Sequence, residues 1–207
     1  MNKTKRKALH TALILFNQQG LSQVSLRTIA LEMGISQGNL AYHFKKREDI
    51  LETLYFELVS KIDDSMSKVD PKQNIIQLMF EFNNRLMLDF FEYRFILIDF
   101  VAIIRTNETI GDHYKLLVKK REEQFAFIFD QMINQGLMRP EHIENEYKNL
   151  YYRFQILGNF WLSSSLLESE HIDKNTTTHY AKIIGETIIP YLTEKGLELY
   201  KQIINKA

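Results

Sequence analysis

The chain of 207 residues contains no cysteine, only 3 prolines and only 8 glycines. Without cysteine, disulfide bridges, cysteine-ligated zinc and thiol chemistry are excluded. Sharp turns and phosphate-binding loops need glycine and proline, so their scarcity disfavours a β-sandwich or a nucleotide-binding α/β fold. Apolar residues make up 45% of the chain and charged residues 25%, which is typical of a globular protein with a sizeable core.

Long hydrophobic runs are also missing. The most apolar stretch without a charge, residues 154–167, has 14 residues and contains Gln155, Asn159 and three serines. It is too short and too polar to span a bilayer. Residues 3–7 are mostly basic and precede an apolar stretch, but no small cleavage-site residues follow, which disfavours a secretory signal. We therefore expect a cytoplasmic protein with no membrane partner.

The net charge is zero, but its distribution is uneven. Residues 1–50 hold 8 Lys or Arg against 3 Asp or Glu, whereas residues 51–207 hold 18 against 23. The first part therefore carries a net charge of +5 and the second a net charge of −5. A basic head on an acidic body predicts a polyanionic partner at one end of the molecule only.

Apolar residues recur at helical spacing along nearly the whole chain, which predicts an all-α fold of about nine or ten helices. Residues 1–46 hold three short helices that form a head, and a long helix over residues 47–68 joins this head to a helical body. We therefore divide the chain into domains 1–46 and 47–207, with helix 47–68 coupling the two. Within the body, the pattern predicts further helices over residues 72–88, 92–105, 112–136, 144–168 and 176–189, and a short tail helix.

Residues 25–43 have the plan of a helix-turn-helix, in which the second helix enters the major groove of DNA. Ser25 and Ser36 are helix N-caps that leave free backbone N–H groups able to hold phosphate, and Gly34 ends the first helix. Gln37 and Asn39 carry paired donor and acceptor groups that read adenine edges. The side chains suited to phosphate contacts follow directly: Tyr42, His43, Lys45, Lys46 and Arg47.

The run from residue 12 to residue 51 resembles the DNA-binding domain of the TetR family of bacterial transcriptional regulators. It has Phe16 before the helix-ending Gly20, then Ser-Leu-Arg-x-Ile-Ala from Ser25. Gly-Ile-Ser-x-Gly-x-Leu-x-Tyr-His-Phe-Lys follows from Gly34, and then comes the acidic start of a long helix. One position departs from the pattern, because the family often has Tyr where this chain has Ala41.

The resemblance implies a homodimer in which each subunit has a three-helix DNA-binding head. It also implies a helical body that holds a ligand pocket for an effector and the dimer interface. Carried over position by position, it implies DNA contacts from seven residues: Ser25, Arg27, Gln37, Asn39, Tyr42, His43 and Arg47.

The body offers candidates for both expected sites. Asp99 lies in a stretch that is apolar almost all round, so its carboxylate is either bonded to a neighbouring helix or directed into a pocket. Phe95, Asp99 and Trp161 are the candidate effector residues, although aromatic residues of this kind also form ordinary cores. We expect helices 144–168 and 176–189 to pair with their symmetry mates in a four-helix interface. The candidate interface residues are Tyr151, Phe154, Gly158, Tyr180, Ile184 and Ile188.

These observations predict a DNA-binding transcriptional repressor that a small apolar or amphipathic effector releases from a palindromic operator. The sequence has no glycine-rich phosphate loop, no zinc-binding His-Glu-x-x-His and no credible catalytic triad, so we expect no cofactor, no metal and no enzymatic activity. Two alternatives remain open: a helical adaptor that binds only other proteins, and a small-molecule enzyme in the helical body.

Overall fold

The computed structural model describes residues 2–68, 74–169 and 172–205. Across these residues the chain forms eleven α-helices and no β-strand, which confirms the all-α prediction. None of the helices in these ranges combines the length and the hydropathy needed to cross a membrane. The helices are α1 (Lys3–Gln19), α2 (Leu26–Met33), α3 (Gln37–His43), α4 (Arg47–Met66), α5 (Ile75–Glu92), α6 (Arg94–Ile98), α7 (Phe100–Thr106), α8 (Glu108–Asn134), α9 (Glu146–Glu168), α10 (Lys174–Glu186) and α11 (Glu194–Ile204).

The helices form two compact units. Unit 1 consists of Met1–Lys61 and Glu92–Tyr114, and unit 2 consists of Ile62–Phe91 and Lys115–Ala207. The chain therefore passes from one unit to the other within α4, at the end of α5 and within α8. This division differs from the predicted boundary after residue 46, because residues 47–61 of α4 fall in the same unit as the head. That boundary stays a proposal about where the DNA-binding part ends.

Capping residues begin α2 and α3 and end α2, as the sequence predicts. The Ser25 hydroxyl accepts a hydrogen bond from the Thr28 backbone N–H (3.1 Å), and the Thr28 side chain reciprocates in a capping box. The Ser36 hydroxyl accepts in the same way from the Asn39 N–H (3.2 Å). Gly34 ends α2 in the left-handed conformation, with φ of 71°, which glycine adopts without steric cost.

Two asparagines join distant segments of unit 1. The Asn17 side chain donates to the Glu92 carbonyl (2.8 Å) and accepts from the Phe95 backbone N–H (3.1 Å). Asn107 caps α8 by accepting from the Ile110 N–H (2.9 Å), and it also donates to the Glu52 carboxylate on α4 (3.0 Å). The residues 92–114 are thereby bonded both to α1 and to α4.

The helix predicted over residues 92–105 is wrong in one respect, because the chain breaks at Asp99 into α6 and α7. Asp99 leaves the helical conformation, with φ of −94° and ψ of 17°. The break carries neither glycine nor proline, so nothing in the local sequence marks it. The helix predicted from residue 72 begins at Ile75, and residues 72 and 73 lie outside the described part of the chain.

Unit 2 is built around an aromatic core. Phe129 of α8 packs against Tyr147 of α9, with ring centroids 5.7 Å apart. The Tyr151 hydroxyl donates to the Val118 carbonyl (2.9 Å), so the α8–α9 packing also satisfies a buried polar group. The Arg139 guanidinium binds both carboxylate oxygens of Glu146 (2.8 and 2.7 Å) where the chain enters α9. This pairing fixes the connection between the two long helices.

Candidate nucleic-acid interface

Helix α3 presents one face to solvent and anchors the other. Leu40 is fully buried and Phe44, which follows the helix, is buried too. Gln37 and Asn39 are exposed, and so is the capping residue Ser36. The apolar anchor therefore holds the helix rigidly while the side chains with paired donor and acceptor groups stay free to bind a partner.

Tyr42 is the most unusual residue of this face because 87% of its surface is exposed. Its ring makes a T-shaped contact with the ring of His43, with centroids 5.2 Å apart, and His43 is half-buried. A large aromatic side chain left in water offers contact area and a hydroxyl group to a partner. The predicted phosphate-contacting pair thus lies at the outer surface of the head.

The cations after α3 fall into two kinds. Lys45 and Lys46 are exposed, whereas Arg47 is held by the protein itself. The Arg47 guanidinium donates to the Leu21 carbonyl (3.0 Å) and to the Glu48 carboxylate (2.9 Å). Part of its charge is therefore neutralised inside the head, and Arg47 is the least free of the predicted DNA contacts.

The start of α2 contributes the remaining predicted contacts. Ser25 and Arg27 are both exposed, and Arg27 has no ion-pair partner among the residues that the structure describes. The Ser25 hydroxyl is bonded to the first turn of α2. Its cap leaves the N-terminal end of the helix facing solvent, where backbone N–H groups favour an anion.

The three candidate effector residues are divided between the two units. Phe95 belongs to unit 1 and packs against Phe16, with ring centroids 4.9 Å apart, and Asp99 is partly exposed at the α6–α7 break. Trp161 belongs to unit 2, where its ring lies 5.4 Å from that of Tyr180. Only 2% of Trp161 is exposed, and its indole Nε1 has no hydrogen-bond partner among the described residues. A buried donor without a partner is costly unless something binds it.

Most of the predicted interface residues are buried within their own subunit, and their role between subunits stays a prediction. Tyr151, Ile184 and Ile188 are buried in unit 2, and Gly158 is buried against the Phe90 ring. Phe154 and Tyr180 are partly buried.

The sequence reasoning missed the apolar side chains that the same two helices expose. Ile156, Phe160 and Leu167 of α9 are exposed, Leu167 to 90%, and Ile183 of α10 is exposed as well. Residues 156, 160 and 167 recur at helical spacing and therefore share one face of α9. This spacing is visible in the sequence. However, α9 is apolar on two sides, and the spacing alone does not tell which side is buried.

A second missed feature is a groove of about 310 Å³ in unit 2. Carboxylates outnumber cations in its lining, and a hydrogen bond from Lys148 lowers the pKa of the Glu122 carboxyl. The described residues contain no cluster of three potential metal ligands, here or elsewhere. The groove is lined by Glu122, Ala126, Phe129, Asp130, Ile133, Glu141, Asn145, Tyr147, Lys148 and Tyr151.

Comparison with known proteins connects these features to a family. The sequence model of the tetR family of bacterial regulatory proteins matches residues 8–54, and the TetR model for bacterial transcriptional repressors matches residues 57–200. A Bacillus subtilis protein named "Probable HTH-type transcriptional regulator YttP" is 26% identical over 151 residues, which is 68% of either chain. Together the two models span the head and most of the body.

Solved structures share the fold. A TetR-family transcriptional regulator from Marinobacter aquaeolei VT8 superposes with a TM-score of 0.85 at 20% identity, over 98% of this chain and 99% of the other. A transcriptional regulator from Saccharomonospora viridis, crystallised in complex with choline, superposes with a TM-score of 0.71 at 20% identity, over 94% and 100% of the two chains.

Proposed function

We propose that this chain, which belongs to the TetR family of bacterial transcriptional repressors and binds DNA, recognises a palindromic operator through the exposed face of α3. The observation that carries the proposal is the exposure of Gln37, Asn39 and Tyr42 on a helix that buried Leu40 anchors. Gln37 and Asn39 read base edges in the major groove, and Tyr42 and His43 contact phosphates. The other contacts that we propose are Ser25, Arg27, Ser36, Lys45 and, in part, Arg47.

The test of this proposal is selection of bound duplexes from a random pool, followed by sequencing. We expect two inverted half-sites whose centres are about 10 base pairs, or one helical turn, apart, or a multiple of that spacing. The symmetry would identify a dimer with one recognition helix per subunit. A pool without enrichment at low salt contradicts the proposal.

Alanine variants separate the roles within α3. Asn39→Ala and Gln37→Ala should relax base preference at one or two operator positions, by about 1–3 kcal/mol each. His43→Ala should weaken binding to all sequences alike, since phosphate contacts carry no base information. Equal losses on operator and random DNA for all three variants would contradict this division of roles.

Members of the family are dimers that bind operators and small effectors, and we propose that this chain dimerises through the exposed apolar face of α9 and α10. Ile156, Phe160 and Leu167 on α9, with Ile183 on α10, supply the apolar surface that a second copy would cover. Phe160→Glu should therefore produce monomers in sedimentation experiments. Leu116→Glu is the matched control, because Leu116 is exposed on α8 of the same unit.

We propose that the effector accepts a hydrogen bond from the indole N–H of Trp161. An apolar or amphipathic compound with one acceptor group would satisfy the buried donor and bury its remaining surface. The effector need only bind the DNA-free conformation more tightly, and a differential of about 3 kcal/mol would weaken operator binding about 150-fold. Trp161 is the single tryptophan, so its fluorescence reports binding when a panel of such compounds is screened, and Trp161→Phe should lower affinity for any hit.

The two rival functions make different predictions. A protein-binding adaptor would not be retained on heparin, whereas the basic head predicts retention. An enzyme would turn over a substrate in the body, and we propose that this chain has no such activity, because its sequence lacks the motifs that catalysis requires. We also propose that it acts in the cytoplasm, where an operator is accessible.

A further inference from the structure

The first helix is unusually basic for a segment outside the recognition helix. No acidic residue occurs before Glu32, and the first turns of α1 carry Lys3, Lys5, Arg6 and Lys7. Opposite charges usually alternate along an exposed helix because like charges repel one another. Here nothing in the helix offsets the positive charge, so the compensation must come from elsewhere.

Two of these cations bind the head and fix the position of the helix start. The Lys5 ammonium lies 5.1 Å from the centre of the Phe44 ring, which comes directly after α3. The Lys7 ammonium donates to the Met33 carbonyl at the end of α2 (3.2 Å). The first turns of α1 are therefore held beside the end of the helix-turn-helix, close to Lys45 and Lys46.

The other two cations at the start of α1 and the two lysines after α3 form no ion pair among the described residues. Lys3 and Arg6 are exposed, as are Lys45 and Lys46, and none of the four has an ion-pair partner in the described part of the chain. The four charges without an ion-pair partner come from two segments more than thirty residues apart, which the contact of Lys5 with Phe44 brings together. Such a patch raises the affinity for a polyanion over a broad surface.

We propose that Lys3 and Arg6 form a second phosphate-binding surface, which grips the DNA backbone beside the half-site read by α3. The proposal rests on the proposed function, since it assumes that α3 lies in the major groove. The contact is independent of sequence, and it extends the footprint of each subunit beyond the bases that α3 reads.

The experiment measures binding to a labelled duplex carrying the selected operator, and to a random duplex, over a range of salt concentrations. The variant is the double substitution Lys3→Gln with Arg6→Gln, which leaves the contacts of Lys5 and Lys7 in place. Each phosphate contact contributes about 0.9 to the slope of log affinity against log salt. Because the variant removes two cations from each subunit of a dimer, the slope should become shallower by about 3 to 4 on both duplexes.

Two controls make the result specific. Lys119→Gln with Lys174→Gln removes the same charge from exposed positions in unit 2 and should leave the slope unchanged. Lys3→Arg with Arg6→Lys keeps the charge and should keep the slope. An unchanged slope for the first variant, with normal operator selection, overturns this proposal and leaves the proposed function standing. Equal losses in the first variant and the unit 2 control also overturn it, and a wild-type protein that ignores DNA overturns both proposals.

Discussion

Polar side chains hold the chain together in both units, but these contacts differ in how they depend on pH. In unit 1, the amides of Asn17 and Asn107 bond the residues 92–114 to α1 and α4. In unit 2, the ion pair of Arg121 with Asp63 joins α8 to the end of α4, and the pair of Arg139 with Glu146 fixes the local connection into α9. Amides do not titrate, whereas carboxylates lose their charge in acid. The Asn17 bonds of unit 1 go to backbone groups and therefore persist at any pH. The Asn107–Glu52 bond and the Lys61–Glu92 pair of unit 1, like the ion pairs of unit 2, each depend on a carboxylate.

The carboxylates of unit 2 show this dependence. The hydrogen bonds from Arg139, and then from the His142 backbone, lower the pKa of Glu146 to about 2. Partial burial by itself would raise the pKa of Asp63, but hydrogen bonds from Lys120 and Arg121 lower it. Both groups therefore stabilise the folded chain in their ionised form.

The largest effect on stability should come from the packing of α11 in unit 2. A Cβ atom on Gly196 would lie 2.0 Å from the Leu137 carbonyl oxygen and 3.0 Å from its carbon. Backbone cannot yield as a flexible side chain does, so Gly196→Ala should cost about 3 kcal/mol or more. Urea unfolding measures the loss. The control is Gly38→Ala in unit 1, where no atom lies within 4 Å and the helix should gain up to about 1 kcal/mol.

A smaller effect should follow from removing one amide of unit 1. Asn107→Ala leaves the Ile110 N–H without its cap and the Glu52 carboxylate without a donor, which should cost about 2 kcal/mol. Asn134→Ala, at an exposed position of the same helix, should change stability by less than about 0.5 kcal/mol. If the two variants unfold at the same urea concentration, the amide does not hold unit 1 together.

The predictions for Gly196 and Asn107 depend on contacts that no sequence pattern reveals. Ser25, Gly34 and Ser36 mark the head helices correctly because caps and helix ends are local events in the chain. Asn17 and Asn107 are isolated polar residues whose partners lie 75 to 78 and 55 positions away, so their role appears only once the chain is folded. Helix spacing likewise predicts α3, in which Leu40 is buried while Gln37 and Asn39 are exposed.

In the body, helical spacing does not predict which apolar residues are buried. Tyr151 and Ile184 belong to apolar stripes, and they are buried in their own subunit, while Ile156 and Phe160 are exposed. Both sides of α9 are apolar, so periodicity locates the helix and does not say which side faces the core. The apolar sequence around Trp161 is consistent with its burial. The lack of a hydrogen-bond partner for its Nε1 among the described residues is visible only in the folded structure.

The stability of the chain in acid should distinguish the Glu146 ion pair from the Asn17 hydrogen bonds. Glu146 stabilises unit 2 fully above its unfolded pKa of about 4.5, and this contribution is lost as the pH falls towards about 2. Glu146→Gln should therefore lower stability at pH 7 and flatten the fall in unfolding free energy between pH 4.5 and 2. Asn17→Ala should lower stability too, but with an acid profile parallel to that of the wild type. Parallel profiles for both variants would show that the Glu146 ion pair does not make the chain sensitive to acid.

The smallest effect on stability should come from the proposed DNA-binding surface of unit 1. Tyr42 is 87% exposed and touches mainly His43, so Tyr42→Ala should change the unfolding free energy by less than about 0.5 kcal/mol. The same change should weaken binding to operator and random duplexes alike, because the contact that we propose for Tyr42 is with phosphate and not with a base. Urea unfolding and titration of both duplexes measure the two quantities on one sample. A variant that binds DNA normally, or that loses stability comparable to Asn107→Ala, would show that this ring serves the fold rather than the partner.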